Sequence, residues 1–423
     1  MKRASLFATV VALFGGACLA QSGAVPVELK HTPDGYVLER AGEPYFVNGV
    51  GGSGHLETLA ACGGNSIRTW GQGQIDDDDG ALLDRANDLG LTVCVGFWMA
   101  HQRHGFDYTD AEAVRRQHEE ALAFVRRWKD HPAVLVWCVG NEAENGDQAR
   151  LVLSEINSIA REIKKIDPSH PVMTAFSGVW PEKGAMFKEL CPDVDILGVN
   201  VYGGAVVVPK DLTEQGYTGP YVLTEFGPVG HWECAKTDWG APIEQTSTEK
   251  AHTYEEFYDV AVLDEPARAL GAYAFLWGQK QERTESWYGM FLKSGEKTEP
   301  VDVMSRLWGG TVENHAPTIT PIDSKAALTR AAPGVEFDAS VEAEDPDGDA
   351  LTYRWVVKRE SSDRQGGGDR EAEPEEVPGL VLTDPGPSIR FRTPDEPGPY
   401  RLFVFVYDGK DAAATANTPF YVE

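Results

Sequence analysis

The 423-residue chain lacks any cysteine pattern of metal-binding type. Its six cysteines (Cys18, Cys62, Cys94, Cys138, Cys191 and Cys234) form no CxxC and keep no Cys/His ligand spacing, which argues against a zinc site. It is also poor in positive charge. Lys and Arg number 38 against 66 Asp and Glu, a net charge of −28. A surface this acidic repels phosphate backbones and anionic lipid, so neither nucleic acid nor a membrane surface is an expected partner. Beyond the first twenty residues no apolar run approaches the ~18–20 residues that a membrane span requires. No internal repeat runs along the chain, and no GxGxxG follows the first apolar run, which counts against an open doubly wound nucleotide-binding sheet.

What is present begins with an export pattern. Lys2 and Arg3 form a basic start, Leu6 to Leu13 an apolar stretch, and Cys18-Leu19-Ala20 a small-residue cleavage site. Residues 1–20 read as a secretory signal peptide cut before Gln21, which makes the mature chain secreted or periplasmic. A lipoprotein signal ending at Cys18 is the alternative, although Gly15 stands where an aliphatic residue is usual. Cys94 and Cys138 fall in very apolar runs and read as small buried hydrophobes. One disulfide among Cys62, Cys191 and Cys234 stays open in an exported protein.

Residues 21–44 alternate and turn at Pro33-Asp34-Gly35, predicting a hairpin that caps the bottom of a barrel. From there to residue 311 eight apolar runs follow: YFVNGV (45–50), NSIRTW (65–70), LTVCVGF (91–97), AVLVWCV (133–139), PVMTAF (171–176), DILGVN (195–200), YVLTEF (221–226) and GAYAFLW (271–277). Helical stretches are predicted between and after them, over 54–62, 77–89, 110–129, 147–165, 182–190, 207–215, 247–268 and 298–307. Runs apolar on both faces and separated by helices imply a buried parallel sheet. Eight such units in succession predict closure into an α/β fold of the (β/α)8 TIM-barrel class. Near residue 312 the texture shifts to Pro, Gly, Thr and short alternating runs, predicting a small all-β, Ig-like sandwich over 312–423. Within it, the Gly-rich and charged stretch 359–379 reads as a flexible loop between strands.

In such a barrel the residues at the C-terminal ends of the strands face the active site. The fourth run leads into Gly140-Asn141-Glu142 and the seventh ends in Thr224-Glu225-Phe226. Two carboxylates on nearly opposite sides of a barrel mouth suit glycosidic hydrolysis: one acid protonates the leaving oxygen while a second carboxylate attacks or activates water. Apolar surroundings would raise the acid toward working pH. Aromatic faces stack on the C–H faces of sugars, so Trp70, Trp98, Trp180, Trp232, Trp287 and Tyr288 are candidates for subsites. His101 and His104, after the third run, are candidates for binding sugar hydroxyls.

These motifs carry a family resemblance. KDHPAVLVWCVGNEAE (129–144) resembles the fourth-strand motif of family-two glycosidases such as β-galactosidases and β-glucuronidases, and VLTEFG (222–227) resembles their nucleophile strand. GGNSIRTW (63–70), DILGVNVYGG (195–204) and GAYAFLW (271–277) are similar to their second, sixth and eighth strands. The wider clan A, including family five and family seventy-two, shares this frame. The resemblance implies Glu142 as acid/base, Glu225 as nucleophile, Arg68 as its brace and Asn141 on the sugar 2-OH. It further implies Tyr202 against the nucleophile, Trp277 stacked on the sugar, and a retaining mechanism with the carboxyl groups ~5–5.5 Å apart. The β-sandwich domains that usually precede the barrel in family two are not found here. Their lack predicts a more open cleft and favours a polymeric β-glucan.

Three readings remain open: a retaining β-glycoside hydrolase, a transglycosylase on the same site, and an inactive carbohydrate-binding barrel. No cofactor is expected for the chemistry. In the C-terminal part, Glu344-Asp345-Pro346-Asp347-Gly348-Asp349 resembles the opening of PKD and cadherin-like modules, where Asp345, Asp347 and Asp349 are candidates to hold Ca²⁺; a plain acidic turn is the alternative.

Overall fold

A computed structural model describes residues 23–423, so the expected signal peptide and Cys18 lie outside the described residues. The expected hairpin is present. Val27–Thr32 pairs antiparallel with Gly35–Arg40, with Thr32 opposite Gly35, and Val27 and Leu38 pack with Leu135, Met173, Ile196, Val222 and Leu270 at the closed end of the barrel. Gly35 is needed at the turn: its φ is +129° and a Cβ there would sit 2.4 Å from the Ala267 backbone.

The eight apolar runs form a closed parallel barrel of strands β1 (Val47–Gly51), β2 (Ser66–Arg68), β3 (Thr92–Phe97), β4 (Val134–Asn141), β5 (Val172–Ser177), β6 (Ile196–Asn200), β7 (Tyr221–Phe226) and β8 (Ala269–Ala274). Each pairs with its chain neighbour, and β8 closes onto β1. The strands are buried almost throughout because one face fills the barrel and the other meets the helices. Helices start where the side chains supply a cap. Asp110 accepts from the backbone N–H of Glu112 (3.0 Å) and Ala113 (3.1 Å) to open helix Ala111–Trp128, a cap worth about 1 kcal/mol. Thr246 and Glu249 form a reciprocal capping box at the start of helix Ser247–Tyr258. That helix was expected to reach residue 268. It ends at Tyr258, and a wider helical turn, Asp259–Leu263, leads into β8.

The C-terminal part forms two main sheets. One has three strands (Asp323–Ser324, Glu336–Ser340, Ser388–Arg392), and the other has four (Arg330–Ala331, Ala413–Val422, Gly398–Tyr407, Thr352–Arg359). Ala339, Ile389 and Phe391 of the first share a core with Val357, Leu402, Val404 and Phe420 of the second. This unit is joined to the barrel by a buried seam. Glu244 accepts from Lys250 Nζ (2.5 Å), Ser286 Oγ (2.9 Å), Thr284 Oγ1 (2.6 Å) and, across the seam, Asn417 Nδ2 (2.7 Å). Leu292 packs against Phe403, Phe405 and Ala413 beside it. The five described cysteines are all unpaired, which closes the question of a disulfide among Cys62, Cys191 and Cys234. Among the described residues no helix is long and apolar enough to cross a membrane.

Candidate active site

The ends of β4, β6 and β7, with the turn after β2, bring their side chains to one cleft of about 730 Å³, a size suited to a small ligand. Glu225, at the end of β7, is 6% exposed and sits among donors. Arg68 Nη1 (2.9 Å) and Trp70 Nε1 (2.7 Å) donate to its Oε1, and Tyr202 Oη (3.0 Å) donates to its Oε2. Three donors, one of them a guanidinium, suit a group that only accepts, as an ionised carboxylate does. Burial, with the Glu225 charge beside it, holds the Tyr202 phenol well above its usual range, so the hydroxyl stays a donor.

Glu142, just past the end of β4, has the opposite setting. Its carboxylate accepts one bond, from Asn200 Nδ2 at 2.9 Å. Burial, with a smaller push from the Glu225 charge, raises its pKa to about 7. Its backbone stands at φ +53°, a left-handed conformation unusual for a residue with a side chain, and such strain gathers at functional sites. The two carboxyl groups therefore differ in environment: Glu225 sits under three donors, whereas Glu142 is biased toward the protonated form. Such a division allows one group to act as acid and the other as nucleophile.

The other predicted site residues divide. Asn141 lines the cleft; its Oδ1 accepts from Arg68 Nη2 (2.6 Å) and Asn200 Nδ2 (2.9 Å), and its Nδ2 has no protein partner among the described residues. Trp98 lines the cleft as well. Arg68 is fully buried beneath Glu225, Asn141 and Asn200, the side chains it bonds, and reaches a ligand only through them. Two expectations are corrected. Trp277 is 1% exposed, gives its Nε1–H to the His55 carbonyl (3.2 Å), and packs on Phe291, because the chain leaves the barrel after Ala274; Phe275 lines the cleft instead. His101 is buried and stacked behind Trp98 with centroids 4.5 Å apart, outside the cleft lining; burial drops its pKa to about 4, which keeps the ring neutral. Sequence reasoning missed Asn200 as the link between Asn141 and Glu142, and Trp70 as a donor to Glu225. Both end apolar runs that were already identified, so asking which hydrogen-bonding group ends each run would have found them.

Two further expectations change. Asp345 and Asp349 gather with Asp408, their carboxylate oxygens within 4.8 Å of one another, whereas Asp347 turns away to the His315 backbone N–H (2.6 Å). Lys410 Nζ already supplies positive charge there, 2.8 Å from Asp349. The cleft is also less open than expected on one side, since Gln365–Asp369 of the C-terminal unit line it.

Comparison with known proteins agrees with the strand-end motifs. The family model described as the TIM barrel domain of family 2 glycosyl hydrolases matches residues 78–258. A β-glucuronidase of Chlorocebus aethiops is 27% identical over 223 residues, 48% of this chain and 31% of that protein. A β-mannosidase of Rattus norvegicus is 32% identical over 89 residues, 21% of this chain and 10% of that protein. The chain thus spans a third or less of the length of these curated relatives. Among solved structures, the β-glucuronidase from Ruminococcus gnavus bound to a C6-substituted uronic isofagomine superimposes with a TM-score of 0.50 at 17% identity, covering 67% of this chain and 52% of that one. An FMN-binding β-glucuronidase from Facaelibacterium prausnitzii gives 0.51 at 15% identity, covering 94% and 59%. At these identities the structural likeness speaks for the fold. Over residues 78–258 this barrel is similar to the TIM-barrel domain of the family 2 glycosyl hydrolases, the resemblance that its strand-end motifs carry.

Proposed function

We propose that the protein is a secreted, retaining β-glycoside hydrolase acting by double displacement. The observation that carries this reading is the contrast across the cleft: Glu225 under three donors, and Glu142 with its pKa raised to about 7. Glu142 gives its proton to the leaving oxygen while Glu225 attacks the anomeric carbon and forms a glycosyl-enzyme. Glu142, now a carboxylate, then takes a proton from the water that releases the sugar. Asn141 offers its free amide to a sugar hydroxyl. Trp98, Trp180, Trp232 and Phe275 provide flat apolar faces for pyranose rings. No cofactor enters these steps.

The substrate we favour is a β-linked polysaccharide or oligosaccharide of neutral sugars, with β-glucan foremost. The two cationic side chains among the cleft-lining residues are both engaged: Lys280 with Glu282 (2.8 Å) and Arg283 with Glu371 (2.7 Å). A uronate or phosphate would meet Glu142 and Glu225 with no unpaired Lys or Arg among those residues to receive it. The basic start and apolar stretch of the first twenty residues support export, and the two C-terminal sheets support an Ig-like accessory domain.

A screen of residues 21–423 on β-1,3-, β-1,4- and β-1,6-glucans, mannan and aryl β-glycosides, with Glu225→Gln as control, tests the reading. Products from the wild type alone are expected. Products longer than the input would replace hydrolysis by transglycosylation, and silence with glycan binding retained would replace both by an inactive barrel.

A further inference from the structure

The cleft has one wall that the barrel does not build. Between strands Thr352–Arg359 and Ser388–Arg392 the chain leaves the C-terminal unit and lies over the barrel mouth. The expected free loop is anchored instead. Its glycines permit the approach: Gly367 and Gly368 stand at φ +61° and +76°, and a Cβ on Gly367 would meet the Arg103 guanidinium at 2.7 Å.

The anchors come from two separate parts of the rim. After β8, Arg283 gives Glu371 two bonds, from its backbone N–H and from Nη1, both 2.7 Å, and Lys280 Nζ donates to the Gly368 carbonyl at 2.6 Å. The Glu371 side chain is completely buried, so this pair is a fixed attachment and not a surface contact. After β3, Arg103 Nη2 donates to the Gly367 carbonyl at 3.2 Å, and Asp369 pairs with His104 Nε2 at 2.9 Å. In the closed barrel β1 and β2 lie between β8 and β3, so a segment tied to both crosses the mouth on that side. Across the cleft, after β5, Trp180 is 44% exposed.

We infer that residues 363–371 close one end of the cleft, so that the enzyme engages the terminal sugar of a β-linked chain, or a short β-glycoside, and not the interior of a polymer. This rests on the glycosidase reading. A linear polysaccharide cut internally must leave the cleft at both ends, and here one exit is occupied by backbone pinned from two sides.

The ends of the segment are close together, because Ala372 N–H donates to Asp363 Oδ2 at 2.8 Å, so residues 364–371 can be replaced by Gly-Gly. The measurement is the viscosity loss of a soluble β-glucan per reducing end released, for the full chain, this deletion and Glu371→Gln. The full chain is expected to release small products with little viscosity loss. Opening the wall should raise the ratio about tenfold as internal cuts begin. Glu371→Gln reports on the anchor independently: trypsin should cut at Arg364 and Arg370 about tenfold faster once the segment is released. Faster trypsin cutting with an unchanged ratio would overturn the inference, as would a full chain that already cuts internally like the deletion. Silence of the full chain on aryl β-glycosides and glucans alike would overturn the glycosidase reading itself, and the inference with it.

Discussion

The end of β4 and the end of β7 present the same side chain to the same cleft and treat it in opposite ways. At β7 a guanidinium, an indole N–H and a phenol converge on Glu225. At β4 Glu142 receives one amide hydrogen bond, and burial works against its charge. The chemistry of a carboxyl group here is set by what the neighbouring strands aim at it, and those neighbours come from β2 and β6 as much as from the chain around each glutamate.

The comparison is broken most directly at Glu225. On the proposed double displacement, Glu225→Gln should lower kcat by at least about 10⁴-fold, since it removes the proposed nucleophile. Azide should restore turnover of Glu225→Ala with inverted product stereochemistry, measured by NMR of the first product. Glu142→Ala should cost about 10²–10⁴-fold on substrates with poor leaving groups and far less on activated aryl glycosides. Equal losses on both would mean that Glu142 does not protonate the leaving group. Next come the donors: Tyr202→Phe or Trp70→Phe removes one hydrogen bond to a charged acceptor, of order 1.5–3 kcal/mol, and should lower kcat about ten- to hundredfold with KM little changed.

The smallest effects concern protons. With Glu142 near 7, kcat/KM should fall as pH rises through about 7, because the acid must carry its proton. Stability follows the same group. Its folded pKa lies above the ordinary value near 4.5, so the folded state binds the proton more tightly. Stability therefore falls between about pH 4.5 and 7 and stays at the lower level above it. Glu142→Gln removes that loss, and its Tm at pH 8 should exceed the wild type's by about 2–4 °C, with the gap closing toward pH 4.5. A gap that did not change with pH would mean that burial does not disfavour the Glu142 charge.

The barrel was legible because its signal is local: each apolar run, such as LTVCVGF or AVLVWCV, needs no partner to be recognised as a strand buried on both faces. Glu142 and Glu225 were legible because strand ends point to the mouth. Trp277 was not, since its fate depends on where the chain leaves β8, and that is decided by contacts with Phe291 and His55 far off in sequence. The 359–379 stretch was legible as a loop and no more. Its glycines and charges resemble those of a free linker, and nothing within it shows that Arg283 and His104 of the barrel will hold it. Composition reports what a segment can do unaided, whereas its anchorage depends on residues far away in the chain.

The seam around Glu244 bears on how the chain can be cut and recombined. A version trimmed at residue 311 would lose Asn417, leaving a buried acid short of one donor, and would strip Phe403 and Phe405 from Leu292. Arg401, which donates to the Pro242 carbonyl at 2.8 Å, would go with them. The C-terminal unit is therefore not an interchangeable cassette. Grafting another module at that point yields a barrel with an unfinished flank, and on heating the natural chain should melt in one step, barrel and β-sheets together.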